Sequence, residues 1–153
     1  MKIKIIQVDK TKTREFQSLI DYYSKLISPF VDLSVINIKK SDVNEREKIK
    51  NEEGEKLLKQ INENDFVIVL DENGKNLNSI KFSEFLRNKI EGGFGEIIFV
   101  IGGAFGLSEN VKKRANFLLS CSEMTFTHEM IRVILLEQIY RGLMIMKGRK
   151  YHY

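Results

Sequence analysis

Two short loops carry the residues with the clearest chemical potential. The first, Gly102-Gly103-Ala104-Phe105-Gly106, follows directly on Ile97–Ile101, an apolar run rich in β-branched side chains, as a buried parallel strand would be. Glycines at a strand's carboxyl end let backbone approach a ligand closely, and open α/β sheets hold ligands at that edge. The second loop, Cys121-Ser122-Glu123-Met124-Thr125-Phe126, follows the apolar run at 117–119 and leads into a long helix near Thr127-His128. Two strand ends with small or polar loops, so close in sequence, predict one pocket built from both. A plain tight turn would account for the glycines alone, so the argument rests on the combination.

Covalent and metal chemistry fit these residues poorly. Cys121 has no histidine at a suggestive spacing, and a small buried thiol is the ordinary role of a lone cysteine. One cysteine and two histidines spread between positions 121 and 152 do not make a tetrahedral site, so no metal is expected.

The elements that must position the two loops alternate in type. Residues 3–8 read as a strand, and 13–27 as an amphipathic helix stopped by Pro29. Val31, Leu33, Val35 and either Ile36 or Ile38 suggest a second strand with one partly exposed face. The charged stretch 39–55 reads as a solvated helix beginning near Ser41 or Asp42, or as a mobile segment, which is preferred to any binding role. Residues 66–70 form a central strand ending in an Asn73-Gly74 turn, and 79–90 a helix closed by Gly92-Gly93. The last helix, 128–147, is apolar on more than one side, so two of its faces must be covered, either within the monomer or by a partner. The whole is an α/β fold with a mostly parallel sheet flanked by helices and right-handed crossovers, in a single domain over 1–153.

Composition bounds the function. With 153 residues, 42% hydrophobic and 30% charged, and without an apolar run of membrane-spanning length, the chain reads as soluble, cytoplasmic and not membrane-bound. Its start, MKIKIIQVDK, reads as a strand rather than a secretory signal. The net charge of +4 lies wholly in the last third, where residues 107–153 carry eight basic and four acidic side chains. From Arg141 onward there are four basic residues and no acidic one. A polyanionic partner would require such a surface, although a solvated basic tail has the same composition.

The motifs I-G-G-A-F-G-L, S-E-M-T-F-T-H-E-M-I-R-V, E-Q-I-Y-R and the terminal Y-H-Y together resemble the small RlmH-type SPOUT methyltransferases. The resemblance runs from the first strand to the last residues. It implies S-adenosylmethionine-dependent methylation of N3 of a pseudouridine in 23S ribosomal RNA within the assembled ribosome, by a homodimer with a C-terminal trefoil knot and no metal. It places the cofactor at Leu70, Gly102 and the run Cys121, Ser122, Glu123, Met124, Thr125 and Phe126, with Gly103 and Gly106 keeping the backbone accessible. By its composition alone Leu70 would be a core residue. Methylation of an imide-type nitrogen needs a base or a stabiliser of the resulting anion, and the candidates are Arg141, Tyr151 and His152. Arg141 also stands four residues after Glu137, the spacing of a structural ion pair. Arg132 is an RNA-contact or structural candidate. Where similar proteins have Pro-His and a terminal basic residue, this chain has Thr127-His128 and Tyr153. Two rivals remain: a nonenzymatic ribosome- or RNA-binding factor of the same fold, and a flavodoxin-like nucleotide or signalling module, which the lack of a GxxxxGK[ST] loop disfavours.

Overall fold

In the computed structural model, which describes residues 1–151, the chain folds into five parallel strands and five helices. The order is β1 (Lys2–Val8), α1 (Arg14–Ile27), β2 (Asp32–Ile38), α2 (Arg46–Leu58), β3 (Phe66–Asn76), α3 (Ser79–Glu91), β4 (Ile97–Ile101), α4 (Glu109–Arg114), β5 (Phe117–Ser120) and α5 (Met130–Met146). The strands lie in the order β2-β1-β4-β3-β5, every pair parallel.

Alternation along each strand divides the core into two layers, because successive side chains point to opposite faces of a sheet. Ile3, Ile5, Ile68, Ile97, Phe99 and Ile101 pack on one side with α1, α3 and α5. On the other side Ile6, Val8, Val67, Val69, Ile98 and Val100 pack with Leu57 of α2 and Val111 of α4. All five residues of β4 are buried, as a strand covered on both faces requires. The edge strand β2 has Val35 exposed and Ile38 buried, in line with its mixed pattern.

The apolar surface of α5 is explained within the monomer. The helix lies between α1 and α3 and against the sheet, burying Val133, Leu135, Leu136, Ile139, Leu143 and Met144. Its composition therefore carries no argument for a second copy. On α3, Ser83 reinforces the packing by donating to the Gly142 carbonyl at 2.8 Å.

Three local readings are corrected. Of the two readings of the charged stretch the helix holds, but it starts at Arg46 rather than near Ser41 or Asp42 and is packed rather than solvated: Glu53, Gly54 and Leu57 are buried, and Gly54 lets α2 lie directly on Val111 of α4 and its capping Ser108. Helical periodicity was invisible there because a short strip of small and charged residues makes the contact. The six-residue α4, capped by the Ser108 side chain, was absent from the sequence reading. Finally, β3 does not stop at a turn after Leu70. Leu70 and Lys75 both register with Leu119 of β5, so 71–74 bulge outward before the pairing resumes. A Cβ on Gly74 would lie 2.7 Å from the Leu118 carbonyl carbon and oxygen, so this glycine serves a close backbone approach rather than a hairpin.

Candidate functional site

The carboxyl ends of β4, β3 and β5 open into one cavity of about 640 Å³. That volume suits a ligand of nucleoside size or larger. Both loops singled out in the sequence contribute, joined by the β3 bulge and the start of α5. Leu70, Gly102, Gly103, Gly106, Cys121 and Ser122 lie in its wall, as do Met124, Thr125 and Phe126. Glu123 does not; it is exposed and lies outside the wall, although both its neighbours line it. Sequence reasoning missed Asp71, Leu107, Lys112, Ser120 and Ile131. Asp71 could have been found, because it directly follows Leu70 at a strand end, whereas Lys112 had no signal without α4.

The glycine loop is a closed turn, with the Gly106 amide donating to the Gly103 carbonyl at 3.1 Å. Gly106 has φ of 84°, a conformation that side chains disfavour. The other two glycines answer to packing. A Cβ at 102 would meet Leu107 at 2.9 Å, and one at 103 would meet Val8 at 3.1 Å and a Glu53 carboxylate oxygen at 3.3 Å. Gly103 thus permits the loop to sit on β1 and α2, and a side chain there would lift the loop rather than enter the cavity. Glu53 is buried and its carboxyl is pushed up by desolvation, opposed by the Ser41 amide that donates to it at 3.1 Å.

In the second loop Ser120 donates to the Ser122 carbonyl at 2.7 Å and Ser122 accepts from the Met124 amide at 3.0 Å. These bonds fold the loop over the cavity while Met124 stays 77% exposed. Cys121 is exposed rather than buried, since it lies beyond the end of β5, yet surrounding protein raises its thiol to about 11. It is protonated at neutral pH and no thiolate nucleophile.

The start of α5 completes the wall through His128 and Ile131, and it is clamped to the β1–α1 connection. Glu129 accepts from the Lys12 amide, from the Thr13 amide at 3.1 Å and from the Thr13 hydroxyl at 2.7 Å. Arg132, only 2% exposed, donates to the Val8 carbonyl at 2.6 Å and the Thr11 hydroxyl at 2.9 Å. Burial opposes its charge while Glu129 and Asp9 favour it. Its burial and both bonds fit the structural reading of this residue. The Thr13 hydroxyl bond, then the backbone donors, hold the Glu129 carboxyl below its ordinary value. A depressed folded value contributes stability above the unfolded value near 4.5, and that contribution disappears as pH falls through the folded value. Glu129→Gln is therefore expected to destabilise the protein by roughly 1 kcal/mol at pH 7. Urea midpoints should show the gap closing at lower pH; an equal gap on both sides of that titration would mean the charge is irrelevant.

Arg141 and Tyr151 lie together, away from the cavity wall. Arg141 donates to Glu137 through Nε at 3.0 Å and Nη2 at 2.6 Å, with its guanidinium 4.9 Å from the Tyr151 ring centre. The Tyr151 hydroxyl donates to the same carboxylate oxygen at 3.3 Å, and its ring meets Tyr140 edge-on at 4.8 Å. Desolvation, then Glu137, pushes Tyr151 up to about 12, so it is a neutral donor at pH 7. Ten helical residues separate Arg141 from Ile131, roughly 15 Å along α5. His152 and Tyr153 lie outside the described residues. The basic tail is partly accounted for by Lys147 and Arg149, which flank the Phe30 ring at 5.3 and 5.2 Å.

Comparison with known proteins matches residues 1–152 to the family described as "Predicted SPOUT methyltransferase". The chain belongs to the SPOUT methyltransferase family. It is 44% identical over 153 residues to ribosomal RNA large subunit methyltransferase H of Caldicellulosiruptor saccharolyticus, spanning 98% of this chain and 99% of the relative. The protein of the same name in Flavobacterium psychrophilum is 41% identical over 160 residues, spanning 100% of this chain and 99% of the relative. A solved structure of a probable methylase family protein from Haemophilus influenzae shares the fold, with TM-score 0.57 and 13% identity over 99% of this chain and 70% of that one. The parallel sheet with its helices is that of the SPOUT knot fold.

As a methyltransferase of this family, the protein uses S-adenosylmethionine as methyl donor. The cavity suits it: apolar Leu70, Ile101, Leu107, Leu119 and Ile131 can cover an adenosine, and strand-end backbone offers donors and acceptors to a base edge. Among the described residues, no group of three or more His, Cys, Asp or Glu is placed to hold a metal ion. Nor is any helix among them long and apolar enough to cross a membrane. Thr127 accepts from the Met130 amide through its hydroxyl at 3.1 Å and from the Ile131 amide through its carbonyl at 3.1 Å. It therefore stabilises the first turn of α5 by capping.

Proposed function

We propose that this chain is a homodimeric methyltransferase of the cytoplasm that methylates N3 of a pseudouridine in 23S ribosomal RNA, acting on the assembled ribosome. The observation that carries the reading is the cavity at the shared carboxyl edge of β3, β4 and β5, in a chain similar over its whole length to proteins named as ribosomal RNA methyltransferases. Leu70 and the apolar wall cover the adenine faces, while backbone at Gly102 and in the 121–126 loop reads its edge. When bound there, S-adenosylmethionine supplies a methyl group activated by a positively charged sulfur. The residues around it supply position, exclude water and hold the acceptor in line.

The acceptor nitrogen must lose a proton to become nucleophilic. Arg141 is suited to stabilise the resulting anion, Tyr151 to donate a hydrogen bond, and His152 stands next in the tail. Because Arg141 lies far along α5 from the cavity, these groups complete a site only if another copy presents them. The half-exposed Leu19 and Tyr22 on α1, beside α5, offer an apolar face for that contact. A small enzyme without a separate RNA-binding domain gains affinity from a large preassembled surface.

Tritium transfer from labelled S-adenosylmethionine to intact ribosomes, separate subunits and naked ribosomal RNA, all from cells lacking this protein, tests the reading. The expected product is 3-methylpseudouridine, formed on assembled ribosomes. Cofactor binding with no label in any RNA would replace the enzyme by a nonenzymatic factor of the same fold.

A further inference from the structure

The cavity contains a pair of opposite charges that the adenosine contacts do not use. Lys112, on α4, and Asp71, in the β3 bulge, both line it, with Lys112 Nζ 3.4 Å from Asp71 Oδ2. The side chains are 33% and 11% exposed, so each charge is partly withdrawn from water. Asp71 is fixed in direction, because its other carboxylate oxygen accepts from the Asn73 amide at 2.9 Å. Lys112 is carried by a helix anchored through the fully buried Val111 beside it.

We propose that Lys112 and Asp71 recognise the amino-acid end of S-adenosylmethionine, Lys112 taking its carboxylate and Asp71 its ammonium group. The proposal rests on the cofactor assignment above. It follows from matching charges: the methionine end carries an anion and a cation on one carbon, and the cavity offers a cation and an anion side by side. A separation of 3.4 Å is longer than the roughly 2.7–2.9 Å of a tight charge-assisted hydrogen bond. A zwitterion can therefore exchange both partners without leaving any of the four charges unpaired, which in a partly desolvated cavity would be costly. The ribose diol matches less well, since it is neutral and would engage Asp71 while giving Lys112 nothing.

Calorimetric titration with three ligands tests this directly. S-adenosylmethionine and S-adenosylhomocysteine carry the amino-acid end; 5′-methylthioadenosine keeps adenine, ribose and thioether but lacks it. Lys112→Met and Asp71→Asn are each expected to weaken S-adenosylhomocysteine by about 10- to 100-fold, while changing methylthioadenosine by less than about twofold. Retained methylthioadenosine binding also shows that the variants fold. Lys112→Arg should restore most of the loss. Equal losses for both ligands would assign the pair to the ribose or to loop architecture, and unchanged S-adenosylhomocysteine affinity would remove it from the site; either result overturns the proposal. If the unaltered protein bound none of the three ligands, the cofactor assignment itself would fall, and the proposal with it.

Discussion

Arg141→Ala is expected to slow methyl transfer to ribosomes by about 10²- to 10³-fold while leaving S-adenosylmethionine affinity within about twofold. Those two outcomes separate because Arg141 is absent from the cavity wall yet organises the tail that follows α5. Its guanidinium is held by Glu137, packs against the Tyr151 ring and donates to the Tyr151 carbonyl at 3.5 Å, so the planar fork fixes Tyr151 beside α5. Arg141→Lys keeps the charge and loses the fork and the stacking, so an intermediate rate is expected. Single-turnover rates with ribosomes, alongside cofactor titration, check both variants. Unchanged turnover in Arg141→Ala would reduce the residue to the structural pair with Glu137.

The second large effect is on stability. Gly74→Ala should cost about 2–3 kcal/mol, because the added methyl would meet the Leu118 carbonyl carbon and oxygen at 2.7 Å. Backbone in a paired strand cannot give way as the tip of a side chain can. For a chain of this size that loss lowers the melting temperature by roughly 5–10 °C. Gly142→Ala is the control: its Cβ would find nothing nearer than 3.7 Å, and alanine is the better helix former. Calorimetric melting should therefore show Gly74→Ala far below the parent and Gly142→Ala at or above it. Coincident melting of Gly74→Ala and the parent would mean that β3 and β5 can separate at the bulge without cost.

Much of this architecture could be read directly from the order of residues. The runs 66–70 and 97–101 are apolar on both faces, and only a sheet covered on both sides buries such strands. The glycine and Cys121–Phe126 loops announced themselves because they interrupt those runs at their carboxyl ends, where parallel sheets hold ligands. What escaped is equally physical. Residues 46–58 carry few apolar side chains, so the helix there depends on Gly54 meeting α4, a contact between segments more than fifty residues apart. Asn73-Gly74 has the composition of a turn, and nothing local distinguishes a turn from a bulge pressed against another strand.

Arg132 and Arg141 make the same point within one helix, since both are arginines on α5 and each had a functional and a structural reading, RNA contact for the first and catalysis for the second. The fold buries the first against Val8 and Thr11 and leaves the second beside the tail, a difference set by which helix face meets the sheet. Periodicity and loop chemistry are local properties, so the sequence by itself determined the strands, most helices and the two loops that share a cavity. Which side chains meet across that cavity, Asp71 and Lys112 above all, depended on the crossover that brings α4 over the end of β3, and only the tertiary structure could decide it.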